Sequence, residues 1–282
     1  MAIFMDAHVH VHPHVPVEEL LRAALGNFDL AADREGVTVP RDYVLCFTES
    51  TGMDVFSRLQ KRDDPTDSSN TPLSLSKGDI WTFQKTPSPQ CLKAVDNSNH
   101  EIYLFAGRQL ISSENLEILS LLADVSIQDK TCSLEELSEK VWINGGIPVL
   151  PWGVGKWLGK RKNAVERFIK RKREFPVLLA DNGNRPLFWP LPKELRTASE
   201  SVIPIASGSD PLPLPNHHLR AGSYGGWINQ RRLDANNPVN DLKSILVQPG
   251  LVIPFGPQAT MFNFFHDQLL VNLRKLLPNL FS

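Results

Sequence analysis

The chain opens with an apolar run, Ala2-Ile3-Phe4-Met5, that passes into a strict alternation, Asp6-Ala7-His8-Val9-His10-Val11. Alternation at period two predicts a strand from Ala2 to Val11, with His8, His10 and His12 on one face and Val9 and Val11 on the other. Pro13 ends it, because proline donates no ladder hydrogen bond. A helix is predicted over about Val17 to Arg34, with Pro16 near its start and Glu18 and Glu19 in a first turn that favours negative charge. Leu20, Leu21, Ala24, Leu25 and Phe28 give it one apolar face. Tyr43 to Phe47 reads as a second strand, ending in Thr48-Glu49-Ser50, and Gly52 to Lys61 as a short helix. Asp63 to Ser76 is polar and reads as a surface loop.

Further along, Ile80 to Gln84, Cys91 to Val95 and Ile102 to Ile111 read as strands. The turns Pro87-Ser88-Pro89 and Asn97-Ser98-Asn99 make them an antiparallel insertion. Glu114 to Leu122 and Ser133 to Ile143 read as helices, the second with a capping box formed by Ser133 and Glu136. Gly145 to Pro151, Pro176 to Ala180 and Val202 to Ala206 read as short buried strands, with a helix over Lys156 to Lys172 between the first two. A last helix, about Gln258 to Leu277, carries Phe262, Phe265, Leu269, Leu273 and Leu276 on one stripe. Strands separated by helices predict a parallel sheet with crossover helices. No repeat and no linker composition interrupts residues 1–282, so the chain reads as one domain.

Composition narrows the function classes. The 282 residues are 41% hydrophobic, enough for a large core, and a net charge of -1 argues against a dedicated nucleic-acid binder. Cys46, Cys91 and Cys132 are odd in number and far apart, which fits reduced thiols in a cytoplasmic protein. The N-terminus lacks the basic start of a secretory signal, and no run is long enough to span a bilayer, so no membrane partner is expected.

Two imidazoles two residues apart at the end of a strand can converge on one metal ion. A His-rich start can also be a tag or a solvated end, but tags are contiguous and this run is interleaved with valine. The pattern Asp6-x-His8-x-His10 resembles the amidohydrolases and the PHP (polymerase and histidinol phosphatase) family of metal-dependent hydrolases. Later stretches continue the resemblance in order: Thr48-Glu49-Ser50, Gly107-Arg108-Gln109, Gly145-Gly146 with the strand to Pro151-Trp152-Gly153, and Gly208-Ser209-Asp210-Pro211-Leu212. Together they span roughly Asp6 to Tyr224. The resemblance implies an α/β fold, a distorted PHP-like (β/α)7 barrel with a small antiparallel insertion. It also implies a site holding up to three ions, yet the ligand positions carry Ser50, Gln109, Trp152 and Leu212 instead of family ligands.

What survives is His8, His10, Asp210 and Glu49, a mononuclear set for zinc, manganese or iron with no more than one tightly held ion, down to none as isolated. Asp210 and Glu49 are the catalytic candidates, Glu49 as an extra ligand or general base. His12 and His14 either add a ligand or are solvated loop residues. His217-His218 either replaces a lost ligand or is an exposed loop pair. Arg108, Lys156 and Arg185 are candidates for neutralising a small anionic substrate. The basic run from Lys160 to Arg173 reads as a solvated helix face. The leading expectation is a metal-dependent hydrolase of the phosphoesterase kind. The alternative is a catalytically inactive relative that binds a ligand or partner, for which Trp152 at a ligand position argues.

Overall fold

The computed structural model describes residues 1–13, 15–38, 40–62, 81–127, 131–200 and 202–276. The predicted 63–76 loop and His14 fall outside them. The chain begins with strand β1 (Ala2–Val9), buried throughout, and helix α1 (Val17–Arg34). It continues with β2 (Arg41–Phe47), α2 (Val55–Arg62), β3 (Thr82–Lys85), β4 (Cys91–Val95) and β5 (Glu101–Phe105). At Ala106 the predicted long strand breaks, and β6 (Gly107–Ile111) enters a second sheet. There follow β7 (Glu117–Leu121), α3 (Leu134–Ile143), β8 (Ile147–Pro151), α4 (Lys160–Lys170), β9 (Leu178–Asn182), α5 (Lys193–Glu200) and β10 (Ile205–Gly208). The chain closes with β11 (Gly225–Asn229), α6 (Pro238–Leu246), β12 (Ile253–Phe255) and α7 (Met261–Leu276).

The expected (β/α)7 barrel is not what forms. The strands divide into two mixed sheets, one ordered β12-β11-β1-β2-β5-β4-β3 and the other β10-β9-β8-β7-β6. Both edges of β1 are already paired within the first sheet, to β2 in parallel and to β11 antiparallel. β2 is likewise held between β1 and β5. Hydrogen bonds therefore join the second sheet to these two strands at their ends, along two short seams.

At one seam the turn after β10 crosses the end of β1. The Asp6 carboxylate accepts from Ser209 N at 2.9 Å, taking the place of a ladder partner, and Asp210 N donates to His8 O at 2.9 Å. Glycine is required there: a Cβ on Gly208 would lie 2.4 Å from His8 Cβ. At the other seam Glu49 N donates to Gly107 O at 3.2 Å and Gln109 N to Glu49 O at 2.9 Å. A Cβ on Gly107 would lie 2.3 Å from Phe47 O, so this approach also admits only glycine.

One apolar cluster packs α1 and α2 against the first sheet, around Phe4, Phe28 and Phe47. A second fills the space between the sheets and under α6, around Met5, Phe105 and Leu178. A third packs α3, α4 and α5 on the second sheet, around Val165 and Phe168.

Two local expectations are also corrected. Glu114 to Leu122 is not a helix but carries β7, whose residues 118 to 121 are buried between β6 and β8. Ile118 faces one apolar cluster and Leu119 and Leu121 another, so apolar residues on both faces erased the alternation that marks a strand. The α7 stripe is turned outward: Phe262, Phe265 and Leu269 are exposed, while Phe264 and Asp267 are buried. Elsewhere the local chemistry acts as read. Ser133 and Glu136 close the capping box of α3. The start of α4 moves from the expected Lys156 to Lys160 because Gly159 takes φ +59°. Among the described residues no helix is long and apolar enough to cross a membrane.

Candidate metal centre

The first seam brings together the residues that the alternation of β1 singled out. His8 Nε2 and His10 Nε2 are 3.0 Å apart, and each lies 3.6 Å from Asp210 Oδ1. Bonds of about 2.0–2.1 Å to a tetrahedral zinc would place neighbouring ligand atoms roughly 3.3–3.4 Å apart. The three separations bracket that value, so the donor set fits one ion without rearrangement. Among the described residues this is the one cluster of its kind.

The chain holds Asp210 in place from several sides. Its φ of +49° is left-handed, a conformation that aspartate tolerates better than most residues. Asn184 Nδ2 donates to its carbonyl at 2.7 Å, and Asn182 Nδ2 donates to Oδ2 at 3.1 Å. Oδ1 is left turned to the imidazoles. Burial raises the Asp210 carboxyl, but His8, His10 and Lys156 outweigh it and hold it below the usual range. Burial also lowers the His10 imidazole to about 3, helped by His8 and opposed by Asp210. It is therefore neutral at physiological pH, the form that ligates a cation. Behind the cluster, Asp6 accepts from His8 N, Ser209 Oγ and Gly222 N, and burial lifts it to about 6 against those bonds.

A cavity of about 310 Å³ opens over His10 and Asp210. Ser50, Gln109, Trp152 and Leu212, the positions where the resembling family's ligands are replaced, all line it. Lys156 lines it too, paired with Glu117, whose Oε1 also accepts from Gln109 Nε2 at 3.0 Å. Glu117, Asn182 and Asn184 are site residues that the pattern along the chain did not single out. Glu117 was hidden in the misread helix. The run Asp181-Asn182-Gly183-Asn184 at a strand end was the available signal for the other two.

The remaining candidates lie elsewhere. Glu49 caps α2, with its oxygens accepting from Val55 N at 3.1 Å and Phe56 N at 2.6 Å. Burial raises it, only partly offset by those bonds and by Arg108. Arg108 donates to Asp124 at 2.7 Å and to Met53 O. Arg185 grips Asp181 with two bonds of 2.8 and 2.7 Å and donates to Trp189 O. That pair, with Tyr224 donating to Asp181, faces a larger cavity of about 570 Å³ outside the cluster. Arg185 does not line the cavity over His10 and Asp210, so it lies away from an anion bound there. His217 Nε2 lies 3.2 Å from Asp267, and His218 pairs with Glu19 at 3.3 Å. His12 Nε2 is 2.9 Å from Pro211 O.

The two sheets, their glycine seams and the His8–His10–Asp210 cluster define an α/β protein with a candidate mononuclear centre. No protein-family model and no curated protein sequence matches the chain. Among solved structures, PsfC from Pseudomonas syringae PB-5123 is similar with a TM-score of 0.54 at 14% identity, over 98% of this chain and 99% of that one. The fold is thus shared along nearly the whole of both chains. Endonuclease Q, solved with a 27-mer duplex substrate carrying an abasic lesion at its active site, gives a TM-score of 0.46 at 13% identity. That match covers 87% of this chain and 56% of the endonuclease.

Proposed function

We propose that the protein is a metal-dependent hydrolase of the PHP kind that acts on a small phosphate ester through a single divalent ion. The observation that carries this reading is the cluster itself: two imidazoles and one carboxylate oxygen spaced for one ion beneath an open cavity. An ion held there supplies a Lewis acid and lowers the pKa of a bound water. His8, His10 and Asp210 provide three ligands and leave a coordination position facing the cavity. Asn182 and Asn184 keep Asp210 aimed at the imidazoles. Lys156 attracts the anionic group of the substrate, and Trp152 closes the cavity wall on one side. Glu49 has no part in the chemistry, since both its oxygens are bound at the start of α2.

His8 Nδ1 is buried with no hydrogen-bond partner among the described residues. An outer hydrogen bond normally orients a metal-bound imidazole and strengthens its hold. Without that bond an ion such as zinc, manganese or iron would be held with moderate affinity. The test is a screen of phosphate esters with tag-free protein, before and after chelation and re-addition of each metal. Turnover that vanishes with the chelator and in His10→Ala supports the hydrolase. Bound metal without turnover on any ester favours the alternative of a ligand-binding protein.

A further inference from the structure

The cavity beside the cluster contains an ion pair, Lys156 with Glu117, that the proposed chemistry uses only in part. Glu117 stands on β7 and Lys156 in the turn before α4, so two different elements of the second sheet deliver the pair. Gln109, on the neighbouring strand β6, donates to Glu117 Oε1 and holds the carboxylate on the cavity side. Lys156 is the one lysine or arginine among the described residues that line this cavity.

We infer that Glu117 sets the net charge of the site and selects a substrate whose reacting group carries one negative charge over one that carries two. The inference rests on the hydrolase reading above, because the charge balance includes the ion. A divalent ion and the Lys156 ammonium stand against the Asp210 and Glu117 carboxylates, leaving the cavity with about one net positive charge. One ester anion neutralises it. A dianion, such as a phosphate monoester above its second pKa, overshoots by one charge, and the Glu117 carboxylate adds to the excess. In a partly dry cavity a like charge within several ångströms costs enough to change affinity by about tenfold. Glu117 also positions the ammonium, so it acts on the substrate through Lys156 and not by touching the reacting atoms.

The test uses zinc-loaded protein at pH 8 and two probes, dimethyl phosphate as monoanion and methyl phosphate as dianion, with binding read by calorimetry. The wild-type chain is expected to bind dimethyl phosphate more tightly. Glu117→Gln keeps the shape and the bond to Gln109, and should shift the ratio of the two affinities toward methyl phosphate by about tenfold. Lys156→Met should weaken both probes. Zinc binding and thermal unfolding are measured for each variant, so that a misfolded chain is recognised. An unchanged ratio in folded, zinc-binding Glu117→Gln overturns the inference and leaves the hydrolase reading standing. Failure of the wild-type chain to bind zinc, manganese or iron overturns the hydrolase reading, and with it the charge balance assumed here.

Discussion

The two sheets are hydrogen-bonded at two seams, and each seam carries a carboxylate at a glycine-enforced crossing, Glu49 buried and Asp210 partly so. Asp210 follows Gly208 where β10 meets β1, and Glu49 reaches Gly107 where β2 meets β6. The chemistry of the two acids is the same, yet only one is available. Glu49 spends both oxygens on the first amides of α2 and has Arg108 beside it at 3.7 Å. Asp210 gives Oδ2 to Asn182 and keeps Oδ1 toward two imidazoles. Whether a carboxylate can serve as a ligand is decided by how many donors already claim it, not by its position at a strand end. The second seam locks the sheets together, and the first exposes a cluster to a cavity.

The contrast is most sharply tested by truncating the cluster. His10→Ala should cost about a hundredfold or more in zinc affinity by calorimetry, since it removes one of the three proposed ligands. Its unfolding midpoint should stay close to that of the wild-type chain. An unaltered affinity would mean that the ion, if any, sits elsewhere.

The opposite pattern is expected at the other seam. Glu49→Gln replaces a charged acceptor at a helix start, and should lower unfolding stability by about 2 kcal/mol in a urea titration. Zinc affinity should be unchanged. A loss of metal with intact stability would reverse the roles assigned to the two carboxylates.

A smaller effect is expected from the residue that aims Asp210. Asn182→Ala should weaken zinc binding about tenfold, the usual consequence of losing a bond that orients a ligand. The smallest effect concerns α7, whose Gln268 and Val271 line the cavity. Burial would raise the Asp267 carboxyl, but bonds to His217 and His266 and the charge of Arg220 hold it below its ordinary value. A depressed acid stabilises the fold above the unfolded pKa of about 3.9, and that contribution is lost as pH falls through the lower folded value. Hydrogen exchange in α7 should therefore quicken below about pH 4, and less steeply so in Asp267→Asn. An equal pH response in the two proteins would remove Asp267 from the account of how α7 docks.

Much of the site was legible because it rests on local rules. Alternation in β1 put His8 and His10 on one face, and the glycine-serine run before Asp210 marked a strand-end turn. The rest depended on contacts between distant residues. Glu49 looked like a ligand because nothing in the chain shows that its oxygens are taken by amides six and seven residues on. Arg185 looked like an anion binder for the site, but it faces a different cavity, gripped by Asp181 four residues earlier. Glu117 was invisible inside a stretch apolar on both sides. The fold was readable as α/β but not as two sheets. The pairing of β11 with β1, which keeps the strands from closing on one another, joins residues about 220 positions apart and has no local signature.

One ion is proposed at the first seam and none at the second. Crystals grown with zinc and measured at the zinc absorption edge test it directly. A single anomalous peak per chain is expected, within bonding distance of His8 Nε2, His10 Nε2 and Asp210 Oδ1. Two or three clustered peaks, or a peak at Glu49, would contradict it.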